Sequence, residues 1–197
     1  AVGSYLQAKS RQGEWLMRIE DVDTTRSITG AADDMLQTFE AFGFEWDGEV
    51  IYQSQRTRLY EQALATLTKK NLVYPCTCSR KQIADDIIES TAAGIYNGEC
   101  RLRTLPLDEQ HALRIRVENT CITFDDAVMG QITQQLGTHC GDFIIKRRDG
   151  LFAYQLAVVV DDALQGITEV VRGADLLDLT ARQIYLQQQL GYAQPHY

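Results

Sequence analysis

Cys76 and Cys78 stand one residue apart in YPCTCSR, and Cys100 closes the stretch GIYNGEC some twenty positions later. Two thiols that close converge on one ion, and a third arriving from a glycine-rich turn completes most of a tetrahedron at zinc–sulfur distances of about 2.3 Å. Spacing leaves the fourth ligand open. His111 and His139 are off the usual finger spacing, while Tyr96, four residues before Cys100, offers a phenolate, a rare zinc ligand. The competing reading is three unconnected reduced thiols. Cys121 and Cys140 lack such neighbours and read as core or surface thiols. Five cysteines, an odd number, without a secretory layout at the start argue against a disulfide framework.

A second constellation is acidic. RIEDVDTTR, residues 18–26, places Glu20, Asp21 and Asp23 where an apolar strand stops, for which a solvated loop is the default explanation. Arg172 ends another apolar stretch, ITEVVRG, and Gly173, Ala174 and Asp175 follow. If both strand ends open on one crevice, a carboxylate is set to meet an ammonium and a guanidinium fork to meet a carboxylate. That is the chemistry of amino-acid recognition.

The elements that must hold these residues alternate between helix and strand. Helical spacing from Val2 to about Gln12 stops at Gly13, and WLMRIE (15–20) reads as a strand. A second helix covers 31–42. A third, capped by Ser54 and closed near Asn71, carries the stripe Leu59, Ala63, Leu64 and Leu67. Residues 75–140 change character: a helix opened by Ser79, the glycine-rich turn, a strand LRIRV and a run of hairpins. They are expected to form an inserted subdomain between the two parts of one catalytic domain, 1–74 and 141–197. DFIIKR and GLFAY then flank a turn at Arg148, Asp149 and Gly150, and a buried ITEVVRG strand precedes a helix that ends at Gly191. Periodicity alone does not decide between helix and strand for Gln155 to Asp161. The alternation predicts an α/β fold with a largely parallel sheet, whose ligands gather at the carboxyl ends of strands.

Composition sets the surroundings. The 197 residues carry 45% hydrophobic and 23% charged side chains, only three prolines and no repeat, as one globular unit does. LAVVV at 156–160 is far too short to span a membrane, and a cytoplasmic protein is expected. A net charge of −8 excludes a protein that coats polyanions. Nucleic-acid contact must therefore be local, at Arg101, Arg103, Arg114 and Arg116 or at Lys146, Arg147 and Arg148, and either patch alone reads as a solvated face. The chain opens on Ala1 rather than methionine and enters helix-like sequence at once, so it is expected to begin inside a larger protein.

Taken together, RIEDVDTTR, the CTC…YNGEC layout and DFIIKRRDGLFAYQLAVVVDDALQGITEVVRGADLL resemble the glutamyl-tRNA synthetase class I family across essentially the whole chain. The resemblance implies a Rossmann-like class I aminoacyl-tRNA synthetase catalytic domain with an inserted zinc-binding subdomain. It implies that Glu20 holds the amino group of L-glutamate, that Tyr154 and Arg172 line the same pocket, and that Cys76, Cys78, Tyr96 and Cys100 hold a structural zinc. Taken alone, Tyr154 would read as a core aromatic. Family members that bind zinc here tend to offer a histidine just after the last cysteine, whereas Arg101 and Leu102 follow Cys100. This favours a compact branch without an anticodon-binding domain, which forms glutamyl-adenylate from ATP, usually with magnesium, and passes glutamate to queuosine in the anticodon of tRNA(Asp). A monomer is expected. The HIGH-like and KMSKS-like motifs of the family are not found within the sequence; His139-Cys140-Gly141 sits at the wrong end of the insertion to stand in for the first. The 197 residues are therefore expected to be inactive alone. Alternatives are the catalytic portion of an ordinary glutamyl-tRNA synthetase and a non-enzymatic zinc-bearing tRNA-binding module.

Overall fold

The computed structural model describes residues 1–25, 27–79, 95–96, 98–107 and 110–197. The chain runs α1 (Val2–Ser10), β1 (Leu16–Ile19), α2 (Ala31–Ala41), β2 (Asp47–Tyr52), α3 (Thr57–Lys69), β3 (Val73–Cys76), β4 (Ala112–Ile115), β5 (Cys121–Asp126), β6 (Gly130–Gln135), α4 (Leu136–His139), β7 (Phe143–Lys146), α5 (Tyr154–Leu164) and α6 (Thr180–Leu190), with short 3-10 turns at Gln53–Gln55, Glu99–Leu102 and Ala174–Leu179. The helix expected after Ser79, with Arg26, Gly94 and Asn97, lies outside the described residues.

The sheet differs from the parallel one that the helix–strand alternation predicts. Among the described strands only β1 and β2 pair in parallel; β3, β4 and β7 form an antiparallel sheet in that order, and β5 and β6 form a hairpin. The connections explain it: α2 returns the chain from β1 to a parallel neighbour, whereas β4 lies between β3 and β7 and runs against both. Pro75 is tolerated in β3 because, among the described residues, that strand is at an edge and pairs only with β4.

The main core lies between this sheet and helices α3, α5 and α6. Tyr60, Ala63 and Leu67 come from α3, Leu156 to Val160 from α5, and Ala181, Ile184, Tyr185 and Leu186 from α6. The ambiguous segment Gln155 to Asp161 is helical and buried throughout. A helix apolar on every side shows no stripe, which is why its period is mute in the sequence. Ser54 caps no helix: it lies in the turn before α3, where its backbone N–H and hydroxyl both donate to Asp21 at 2.9 and 2.7 Å. ITEVVRG is not a buried strand either. It is extended and half exposed, with one bridge from Glu169 to His196, because one of its sides borders an open cleft. A satellite cluster of rings, Tyr5, Trp15, Phe39 and Phe44, packs α1, β1 and α2 together with centroids 4.9 to 6.0 Å apart. No described helix is long and apolar enough to cross a membrane.

Candidate functional site

The carboxyl end of β1 opens on a cleft of about 1400 Å³, whose walls include Glu20, Asp21 and Asp23 after β1, Tyr154 and Asp162 from α5, and the extended segment to Arg172. The two strand ends singled out in the sequence thus border one cavity. Glu20 is held by Arg18 at 3.3 Å and stays well exposed. Arg172 donates to Gln183 Oε1 at 2.7 Å and to Thr180 Oγ1 at 2.6 Å, both on α6, and its guanidinium lies 5.6 Å from the Tyr197 ring centre. Among the described residues no acid is in direct contact with it. Tyr154, at the first turn of α5, has its phenol pushed up by burial and by the charge of Glu20, with Arg172 pulling the other way. Asp21 and Asp23 are not the free loop carboxylates of the default reading: Asp21 accepts from Ser54, and Asp23 pairs with Arg147.

Sequence reasoning missed the supports of this cleft. Arg18, on β1, reaches Asp162 at 2.8 Å and Gln165 at 2.7 Å while also touching Glu20. Burial pushes the Asp162 carboxyl up against the pull of Arg18. One residue earlier Asp161, completely buried, accepts from Gln53 at 2.8 Å, Tyr60 at 2.7 Å and Arg56 at 2.6 Å. The adjacent pair VVDD therefore faces two ways, one acid toward the cleft and one into the contact with α3. The signal was present: two acids in an apolar helix demand partners.

The cysteine site forms a second, smaller buried cluster of Tyr74, Cys76, Tyr96 and Cys100 with Cys78 packed against it. Cys76, Cys78 and Cys100 hold their sulfurs within 4.8 Å of one another. Cys78 Sγ is 3.5 Å from Cys100 Sγ, and the Tyr96 hydroxyl is 3.6 Å from Cys76 Sγ and from Cys78 Sγ. A tetrahedron with metal–sulfur arms of about 2.3 Å has edges of about 3.8 Å, so the donor set and its spacing fit a metal ion. The Tyr96 oxygen accepts the Cys100 backbone N–H at 2.8 Å, a bond that favours its anionic form. Burial still pushes this phenol up. Burial likewise pushes the Cys78 thiol up to about 12. Burial acts in the same direction on Cys100, but hydrogen bonds from Tyr96, Thr77 and Cys78 outweigh it and bring that thiol down to about 6. His139 Nδ1 is engaged with its own turn, at 2.8 Å from the Gln135 carbonyl. Cys121 is exposed and Cys140 buried, both free.

Arg114, expected in a solvated basic patch, is 5% exposed and part of this site. Along β4, Leu113 and Ile115 enter the main core, so the alternation of a strand turns Arg114 to the other face, where its pairing partner Tyr74 and Cys76 also point. Its Nε donates to Cys76 Sγ at 3.2 Å, its guanidinium stacks 3.8 Å from the Tyr96 ring centre, and Nη1 donates to the Asp142 carbonyl at 2.8 Å.

Known proteins agree with this architecture. The family described as tRNA synthetases class I (E and Q), catalytic domain, matches residues 1–197. The glutamyl-Q tRNA(Asp) synthetase of Dechloromonas aromatica (strain RCB) is 54% identical over the whole chain, which covers 66% of that protein; the glutamyl-Q tRNA(Asp) synthetase of Ectopseudomonas mendocina (strain ymp) is 53% identical, again over the whole chain, with 65% covered. The chain thus spans just under two thirds of the length of these relatives. The crystal structure of a glutamate tRNA ligase from Elizabethkingia meningosepticum in complex with its amino acid superposes with a TM-score of 0.84 at 25% identity, over 99% of this chain and 44% of that one. The α/β fold with its cleft at the end of β1, and the match along the full sequence, lead to one conclusion: the chain belongs to the class I tRNA synthetases for glutamate and glutamine, within their catalytic domain.

Proposed function

We propose that the full-length protein activates L-glutamate with ATP, with Mg2+, as glutamyl-adenylate and transfers the glutamyl group to queuosine in the anticodon of tRNA(Asp), acting in the cytoplasm as a monomer. The observation that carries the reading is the shared cleft: Glu20, Tyr154 and Arg172 line the same cavity, as amino-acid recognition requires. In this reading Glu20 accepts the substrate ammonium and Arg172, already oriented by Gln183 and Thr180, pairs with a carboxylate of the substrate. Tyr154 closes the pocket between them. Activation by such a site is mostly positioning and charge stabilisation. The queuosine specificity is supported by the names of the relatives and by Arg101 and Leu102 after Cys100.

Residues 75–140 are proposed as the insertion, rooted in the sheet of β3, β4 and β7, with 1–74 and 141–197 as the two parts of the catalytic domain. Cys76, Cys78, Cys100 and Tyr96 would hold a zinc ion, whose contribution is to tie the segments bearing them together without redox chemistry.

The test is glutamylation by the full-length protein of tRNA(Asp) with and without queuosine, and of tRNA(Glu). Labelling only of the queuosine-containing tRNA(Asp) is the expected result. The likeness to a glutamate tRNA ligase supports a second reading, an ordinary glutamyl-tRNA synthetase, and labelling of tRNA(Glu) would establish that one instead.

A further inference from the structure

We propose that Arg114 is the charge-compensating positioning residue of the cysteine–tyrosine metal site; this rests on the zinc reading above. Three thiolates and a phenolate around a divalent ion carry a net charge of −2. Two of those thiols, Cys76 and Cys100, are 3% and 0% exposed, so water does little to screen that charge. An uncompensated charge in such a place is strongly disfavoured.

Among the described residues one cation is in direct contact with the ligands. Arg114 Nε is 3.2 Å from Cys76 Sγ, and its plane lies on the Tyr96 ring. Nη1 is held by the Asp142 carbonyl, so the head is fixed on both sides. Other described charges nearby are already engaged. Glu99, 3.8 Å from Cys78 Sγ, pairs with Arg103, and Arg101 reaches the Val117 carbonyl at 3.3 Å and Asp142 at 3.6 Å.

An arginine so placed serves two of the four ligands together. Its N–H stabilises the thiolate of Cys76, and its positive face stabilises the electron-rich ring of a phenolate at Tyr96. It also explains how this site accommodates an anionic tyrosine where a neutral histidine would lower the charge by one. The pairing rests on strand register rather than on local sequence: Tyr74 of β3 lies opposite Arg114 of β4, which brings Cys76 beside the guanidinium.

The test measures zinc affinity of the full-length protein by competition with a chromophoric chelator. Arg114→Gln is expected to weaken zinc binding by about 10- to 100-fold, the usual cost of losing a group that supports metal ligands. The decisive readout is the same substitution beside Tyr96→His, whose neutral ligand lowers the site's charge; there its cost should fall to less than about threefold. Equal losses in both backgrounds would make Arg114 a packing residue and overturn the proposal, as would native affinity in Arg114→Gln. If the native protein takes up no zinc, the zinc reading itself fails, an outcome separate from either. Should Arg114→Gln not fold, Arg114→Lys decides: zinc held within about tenfold of native supports charge compensation, and loss of zinc from a folded Arg114→Lys protein overturns it.

Discussion

Tyr96 shows what a single residue can and cannot announce. Its spacing before Cys100 is visible in the sequence, yet a phenol is so unusual a ligand that spacing leaves it unassigned. The structure adds the Cys100 N–H on its oxygen and Arg114 on its ring. The second is not legible locally, because the guanidinium arrives through strand pairing that brings together residues 38 apart. The titration of these groups gives a prediction. Cys78, pushed up to about 12 by burial, and Tyr96, pushed up for the same reason, hold their protons at pH 7.5 and must give them up to a metal. Cys100, brought down to about 6, is already ionised there and takes up a proton, which a metal must then displace, only as the pH falls through that value. Zinc uptake at pH 7.5 should thus release a proton from each of the first two, and affinity should fall more steeply below pH 6. Calorimetry in buffers of different ionisation enthalpy measures the release, and Tyr96→Phe should reduce it by one proton; an unchanged release would remove Tyr96 from the ligand set. At the cleft, Glu20→Gln in the full-length protein should raise KM for glutamate by about 10- to 100-fold, the worth of a hydrogen bond to a charged group. Unaltered KM in steady-state activation assays would place the ammonium elsewhere.

Elements were legible where one face is buried and silent where two are. The stripe on α3 and the Gly191 stop of α6 were readable, but α5, buried all round, gave no period, and ITEVVRG looked like a core strand although it borders the cleft. What fixes α5 is polar: Asp161 ties it to Gln53, Arg56 and Tyr60. Asp161→Ala takes the shared acceptor from the buried Gln53 and Tyr60 and from the part-buried Arg56, and should destabilise the fold by about 3–5 kcal/mol in chemical denaturation. A loss below about 1 kcal/mol, the range of an exposed ion pair, would show that the network is not a structural anchor. Gly141 is a second such point. Its φ is +58, and an added Cβ would lie 2.8 Å from Ile95 Cγ2 and 3.2 Å from the Tyr96 carbonyl oxygen. Gly141→Ala should displace Tyr96 and weaken zinc binding in the chelator assay, with little change in KM for glutamate.

At the scale of the molecule, the helix–strand alternation indicated the α/β class, and the amino-acid chemistry at two distant strand ends indicated the cleft. The antiparallel β3–β4–β7 sheet was not indicated, because its strands lie far apart in the chain and pairing order has no local signature. That sheet carries the cysteine site on one face and the main core on the other, so metal should stabilise the whole domain. Removing zinc with a chelator should lower the melting temperature, and zinc at about a thousand times its Kd should add about 4 kcal/mol to stability. An identical melting curve with and without the ion would uncouple the site from the fold.

Trp15 stands in the wall of the cleft with its indole N–H on Ser4 at 3.1 Å, while the sequence holds just one other tryptophan, Trp46. The ring cluster that fastens α1 to β1 therefore doubles as a built-in optical gauge. With Trp46→Phe silencing the second emitter of these 197 residues, their intrinsic fluorescence would follow the filling of this cavity directly, without a label or a coupled assay.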